Sequence, residues 1–328
     1  MLKYYYNLIN YAATTDSNLF HILWFNRFDT FDRTLLNLYY RLTGKKLVFT
    51  AHNVNAGERD GTDSFLNRFT LKFMYNLMDH IFVHTELSKT QLIEKFSVSQ
   101  EKVTVIPMGI NDTIPQTDLT RSQARARLDL GSDRKVLLFF GRITSYKGLE
   151  YLVSAFKKSR REHQGLQLVI AGKVDRGCDE YWETIRSMIE ECAAGDSIST
   201  KIEFIPDSEL EVYFKAADAV VLPYKHIFQS GPLFLAYKFG LPVIATDVGS
   251  FKDDIVEGET GLLCRPEDPE DLSRAITEYF RSDLYKNLST QKAQIIRHAN
   301  ESNSWSIAGE KIAAVYGGLS GKECAVTR

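Results

Sequence analysis

Short runs of aliphatic, β-branched and aromatic residues alternate with longer stretches of helical period along nearly the whole chain. That alternation is the pattern of parallel strands joined by crossover helices. In the first half, apolar runs at 20–25, 46–51, 80–85 and 103–107 predict strands, and the amphipathic stretches 30–43, 64–79 and 87–96 predict helices between them. Residues 111–134 are polar, rich in Thr, Asp and Arg, and contain Pro115, so they break the rhythm as a linker does. The alternation restarts at Val136, with strands expected at 136–140, 166–171, 202–205, 219–223, 243–246 and 261–264. A last helical segment, 304–315, carries Trp305 and is followed by Tyr316, two anchors with which to pack back toward the first half. The expected organisation is α/β throughout: a first domain over 1–110, a linker over 111–134, a second domain over 135–300, and a C-terminal helix within 301–328.

Composition narrows the classes of function. The 328 residues include 40 Lys and Arg against 42 Asp and Glu, a formal charge of -2, so nothing calls for nucleic acid as a partner. Cys178, Cys192, Cys264 and Cys324 show no CxxC spacing, which argues against a zinc site or a disulfide framework and fits a reducing compartment. The opening residues lack the apolar run and small-residue cleavage site of a secretion signal, and no stretch of about 18 apolar residues occurs. A cytoplasmic protein is expected.

The chemistry concentrates at two places in the second half. VLLFFGRITSYKG at 136–148 reads as a strand, a tight exit at Gly141, and a loop carrying Arg142 and Lys147 just before a helix. The loop after a strand's carboxyl end faces the ligand crevice of an open α/β sheet, and the next helix starts there with its partial positive charge. Two cations beside that helix start suit a diphosphate; alone, they are equally readable as solvated surface residues. The second place follows LPYK at 222–225, where Gln229, Ser230 and Gly231 lead into Pro232 and Leu233 at a helix start. Backbone N–H groups and small polar side chains there offer hydrogen bonds to an anion or to sugar hydroxyls. The alternative for Ser230 is an ordinary helix cap.

These residues, with FGLPVIATDVG at 239–249 and IVEGETGLL at 255–263, resemble the retaining family 4 glycosyltransferases, the glycosyl transferases group 1. The resemblance implies the GT-B fold, two Rossmann-like doubly wound domains facing a cleft. It also implies that Arg142 and Lys147 hold the donor's phosphates beside Gly141, while the loop from Gln229 to Leu233 contacts diphosphate and sugar. VFTAHN at 48–53 is similar to the family's strand that ends in a histidine near sugar and acceptor, which assigns that place to His52. IPMGIN at 106–111 is similar to its hinge segment, with Met108 and Asn111 in place of Asn and Asp.

Two departures stand out. The family's paired glutamates, one on the sugar and one on the ribose, fall at Ile227 and Leu235, and neither is acidic. Gln229 offers amide hydrogen bonds in place of the first. The family's opening strand, glycine-rich loop and helix have no counterpart here, so the first domain is expected to be incomplete.

The implied reaction moves a sugar from a nucleotide-diphosphate donor to an acceptor hydroxyl with retention. Arg142 and Lys147 would neutralise the leaving group, so neither a metal nor any cofactor beyond the donor is expected. The acceptor is expected to be a sugar or a lipid-linked carrier. Arg33, Arg41, Lys45 and Lys46 flank the apolar run 35–42, a composition suited to peripheral contact with the inner face of a membrane or to packing on its own sheet. The competing reading is a pseudoenzyme or partner subunit that binds nucleotide-sugar without turnover. A nicotinamide dehydrogenase would need a GxGxxG turn, which is lacking; an epimerase or phosphorylase on the same fold is not excluded by the fold.

Overall fold

The computed structural model describes residues 2–25, 28–110, 113–192 and 197–321; Asn111 of the hinge-like segment and Cys324 lie outside them. The chain divides into two compact units, Met1–Gly109 with Asn303–Arg328, and Ile110–Ser302.

Unit 1 is built on four parallel strands, β1 (Leu19–Ile22), β2 (Lys46–Ala51), β3 (His80–Val83) and β4 (Val103–Val105), in that spatial order. Leu47, Val48, Phe49 and Ala51 on β2, and Ile81, Phe82 and Val83 on β3, are all buried. Such continuous apolar runs mark strands covered on both faces. The terminal helix Trp305–Ser320 supplies part of that cover: Ala308 packs with Val48, Phe82 and Ile106, and Ile312, Val315, Tyr316 and Leu319 extend the contact. Ser304 caps its first turn by accepting from the Ile307 N–H. The stretch expected as one helix at 30–43 contains a π-helical segment, Asp32–Leu36, leading into Asn37–Leu42.

Unit 2 carries six parallel strands, β5 (Lys135–Phe140), β6 (Leu166–Ala171), β7 (Ile198–Lys201), β8 (Ala219–Leu222), β9 (Val243–Thr246) and β10 (Gly261–Cys264), in the order β10-β9-β8-β5-β6-β7. The chain runs outward from β5 through β6 to β7, then returns to β8 and runs outward on the other side. The order therefore reverses between β5 and β8, the kind of place where an open α/β sheet takes its ligand.

Two expectations need correction here. The strand placed at 202–205 lies earlier, at Ile198–Lys201, where it pairs with β6 from Leu168↔Ile198 to Ala171↔Lys201. It is a polar edge strand ending in lysine, a composition that discourages pairing with other chains, and the more apolar 202–205 runs off the sheet with Phe204 exposed. Residues 113–134 are not a bare linker. They belong to unit 2 and include the helix Arg121–Arg127, opened by a reciprocal Thr120/Gln123 capping box. Arg125 of that helix is buried, donating to Asp218 at 2.9 Å and to the Ala216 carbonyl at 3.0 Å. Asp218 also accepts from the Val136 N–H at 2.7 Å, so this polar segment is tied to the first strand of the sheet by a buried ion pair. Among the described residues, no helix is long and apolar enough to cross a membrane.

Candidate functional site

In unit 2 the loops after β5 and β8 meet at the reversal of strand order. A Cβ on Gly141 would stand 2.8 Å from Lys147 Nζ and 3.5 Å from Pro232 Cγ, so the exit of β5 touches both the basic loop and the start of the helix Gly231–Lys238. The packing is close enough to exclude side chains. A Cβ on Gly148 (φ 64°) would collide with the Pro223 carbonyl oxygen, and one on Gly172 (φ 149°) with the Gly141 carbonyl oxygen. Hydrogen bonds tie the same loops together, from Lys225 N–H to the Tyr146 carbonyl at 2.8 Å and from Lys225 Nζ to Glu150 Oε1 at 2.8 Å. Tyr181 accepts from the Leu149 N–H at 2.9 Å and donates to Glu150, which pins the first turn of the helix Leu149–Glu162. Glu150 and Tyr181 carried no signal in the sequence, because their pairing depends on two helices meeting.

The two cations differ in setting. Lys147 is buried, with Nζ 5.4 Å from the centre of the Tyr224 ring. Arg142 is 71% exposed and pairs with Asp175 at 3.2 Å. Around Lys147 lie polar atoms that the fold leaves unsatisfied. Thr144 Oγ1, Tyr224 Oη, Gln229 Oε1 and Ser230 Oγ are buried and have no hydrogen-bond partner among the described residues. The Tyr224 and Ser230 hydroxyls lie near one another without good hydrogen-bond geometry, and burial raises the Tyr224 pKa. Ser230 occupies the N-cap position of its helix, yet its side chain does not cap it. An unsatisfied buried polar group costs about 1–3 kcal/mol, so the orphaned Thr144 and Gln229 atoms, with the poorly paired Tyr224 and Ser230 hydroxyls, are open to donors and acceptors from water or a ligand. Leu233 is buried behind Gly231 and Pro232 in the first turn, while Ile227 is buried and Leu235 half-buried, both hydrocarbon.

In unit 1, His52 follows the last residue of β2, and His84 follows β3. His52 Nδ1 and His84 Nε2 are 2.9 Å apart, and His84 Nδ1 lies 3.4 Å from the Ile106 carbonyl oxygen. The Trp24 indole stacks on His52, ring centres 4.2 Å apart and planes 11° from parallel. His21 on β1 completes the row, bonded to Thr50 Oγ1 at 2.7 Å and to the Tyr316 hydroxyl. Burial, reinforced by the nearby His52, lowers His21 and His84 to about 4, and burial lowers His52 as well. All three rings favour the neutral form. The sequence had singled out His52 alone.

The four basic residues flanking 35–42 are engaged within the fold. Lys45 is buried and donates to the Thr15 and Ser17 carbonyls at 2.8 and 2.9 Å. Arg41 and Lys46 pair with Asp79, and Arg33 pairs with Asp29 and Asn67. Each of the four thus has a partner within unit 1, and Leu35 and Leu42 stand exposed.

The family model described as Glycosyl transferases group 1 matches residues 120–297, and the model described as Glycosyltransferase Family 4 matches residues 23–113. The chain is 26% identical over 287 residues to a D-inositol 3-phosphate glycosyltransferase of Corynebacterium diphtheriae, covering 83% of this chain and 65% of that protein. It is 28% identical over 253 residues to a mannosylfructose-phosphate synthase of Agrobacterium fabrum, covering 74% of this chain and 54% of the other. Among solved structures, a sucrose-phosphate synthase from Thermosynechococcus elongatus superposes with a TM-score of 0.82 at 21% identity, over 98% of this chain and 78% of that one. Anabaena HepE in complex with UDP-glucose superposes with a TM-score of 0.79 at 17% identity, over 96% of this chain and 82% of that one. These likenesses give the fold as GT-B, with two Rossmann-like units.

Proposed function

The chain belongs to the glycosyl transferases group 1, and we propose that it moves a sugar from a nucleotide-diphosphate donor to an acceptor hydroxyl, on a sugar or a lipid-linked carrier, in glycan, polysaccharide or glycolipid synthesis. The observation that carries this reading is the group of unsatisfied buried polar atoms around Lys147, at the reversal of strand order where an open α/β sheet takes its ligand. Lys147 receives the phosphates from a fixed, desolvated position. Arg142 exchanges its exposed pairing with Asp175 for a phosphate at little cost, since exposed ion pairs contribute about 0–1 kcal/mol. Gln229, Ser230 and Gly231 offer hydrogen bonds to the diphosphate or the sugar, and Pro232 and Leu233 set the first turn behind them. As the nucleotide departs, negative charge grows on the phosphates and both cations stabilise it, so the reaction proceeds without a divalent ion. Transfer takes place with retention, with no side chain as nucleophile. His52 meets a hydroxyl of the sugar or the acceptor.

Calorimetry tests the donor site. Arg142→Ala and Lys147→Met each weaken nucleoside diphosphate binding by about 1.5–3 kcal/mol and leave the nucleoside's affinity nearly unchanged. Intact diphosphate affinity in the double variant refutes the site, and transfer abolished by EDTA and restored by magnesium refutes the metal-free step. The hydrocarbon side chains at Ile227 and Leu235 favour a second reading, in which the chain binds donor without turnover. Donor hydrolysis measured beside donor binding separates the two.

A further inference from the structure

The arrangement around His52 sets which of its nitrogens carries the proton. The Ile106 carbonyl can only accept, so the His84 nitrogen facing it at 3.4 Å, Nδ1, is the one bearing hydrogen. Burial holds His84 far below the usual histidine range, down to about 4, so near neutral pH it carries a single ring proton. Its Nε2 is then an acceptor. The atom 2.9 Å away, His52 Nδ1, must supply the hydrogen of that contact. A neutral His52 protonated at Nδ1 has a bare lone pair on Nε2, and Nε2 has no hydrogen bond among the described residues. Trp24 holds the plane of the His52 ring by stacking on it, and Trp24 itself is 69% exposed. The Ile106 carbonyl is a firm anchor, since Ile106 is buried beside Val48 and Phe82 and its N–H donates to the Val83 carbonyl at 2.8 Å.

We propose that His84 is a positioning residue: anchored on the Ile106 carbonyl, it accepts the Nδ1–H of His52 and thereby presents His52 Nε2 as an acceptor for a hydroxyl of the sugar substrates. The inference rests on the proposed role of His52 and adds its tautomer, its direction of hydrogen bonding and the chemical class it recognises. A ligand group here is a hydrogen-bond donor such as a sugar O–H, not a phosphate or carboxylate oxygen. Other polar partners in the row do not compete for His84, because His21 is taken by Thr50 and Tyr316. At metal sites, partners that fix a histidine's tautomer change affinity or activity about 10–100-fold when removed, and an effect at the lower end of that range is expected here.

The test reads the tautomer directly, by nitrogen-15 NMR of histidine-labelled full-length chain. In the wild type, His52 shows a protonated Nδ1 and a bare Nε2. In His84→Phe the two tautomers mix and turnover falls about tenfold or more with the donor's KM little changed. His84→Gln, whose amide oxygen can again accept from His52, restores both signals. A protonated Nε2 on His52 in the wild type overturns the proposal whatever the kinetics. Should His84→Phe fail to fold, the wild-type spectrum alone still decides it. If the tautomer is as stated but His52→Ala keeps its full turnover number, the relay stands as structure and the catalytic reading of His52 fails.

Discussion

Among the described residues, the large apolar side chains that stand open to solvent all belong to unit 1, apart from Phe204 and Val256. Leu2, Tyr6, Trp24, Leu42 and Phe65 are examples, and none of comparable size is exposed around the unit 2 loops that hold Lys147. The candidate sites differ in the same sense. In unit 2 the site is made by backbone: glycines admit carbonyl oxygens where a Cβ would stand, and one buried lysine sits among loops tied at both ends. In unit 1 it is made by side chains, three imidazoles and an indole held by stacking and hydrogen bonds. A site of crowded backbone tolerates almost no change but keeps its shape. A site of stacked rings depends on the exact protonation and packing of each member, and it belongs to the unit with less of its apolar surface covered.

The largest expected effect compares two glycines that share a left-handed backbone. Gly44 in unit 1 (φ 80°) has open space where a Cβ would go, whereas at Gly148 (φ 64°) the Cβ meets the Pro223 carbonyl, which cannot swing aside as a side chain would. Gly44→Ala is expected to cost about 1 kcal/mol from backbone strain alone. Gly148→Ala should cost about 3 kcal/mol and abolish nucleotide binding, because strain and overpacking add. Urea denaturation measures both, and equal costs would mean that the loop after β5 yields freely.

Next in size is the difference in local stability. Segments with apolar surface open to water release fewer buried contacts on opening, so amides of unit 1 should exchange about tenfold or more faster than those of unit 2 in elements of similar length. Hydrogen exchange resolved by segment checks this, with β2 against β6 as the matched pair. Equal protection of the two strands would remove the contrast between the units.

A third contrast is in pH dependence, where the named groups have opposite signs. His21 and His84 sit at about 4 in the folded chain against 6.5 ordinarily, so between those values the unfolded chain binds protons that unit 1 refuses. Their contribution is complete above pH 6.5 and is lost as pH falls toward 4. Asp254 in unit 2 is raised by burial to about 6 from 3.8, so the native form holds a proton the unfolded chain has released, and its contribution is lost as pH rises from 3.8 to 6. Lowering the pH through that window should therefore weaken unit 1 relative to unit 2, by His21 and His84, and His84→Phe should flatten the difference. Exchange measured at several pH values, corrected for the intrinsic rate, reads the sign; strengthening of unit 1 on acidification would contradict the burial of these rings.

Much of the fold was legible in local pattern. β2, β6, β9 and β10 run over the residues their apolar runs predict, because a strand buried on both faces needs a continuous apolar stretch. Gly141, Arg142, Lys147 and the turn into Pro232 were visible as candidates for the same reason, since a strand, a tight exit and a helix start are all short-range features. What local pattern could not carry is partnership across distance. β7 is defined by its register against β6 rather than by hydrophobicity, and the helix Arg121–Arg127 is held by a buried ion pair with Asp218 that its polar composition conceals. The row of His21, His52 and His84 exists because parallel pairing sets three strands side by side, and the unsatisfied hydroxyls beside Lys147 meet because the strand order reverses between β5 and β8. Element identity follows from the period of apolar residues along the chain; which elements become neighbours is decided by burial and hydrogen bonding summed over the whole sheet, and those contacts place the chemistry.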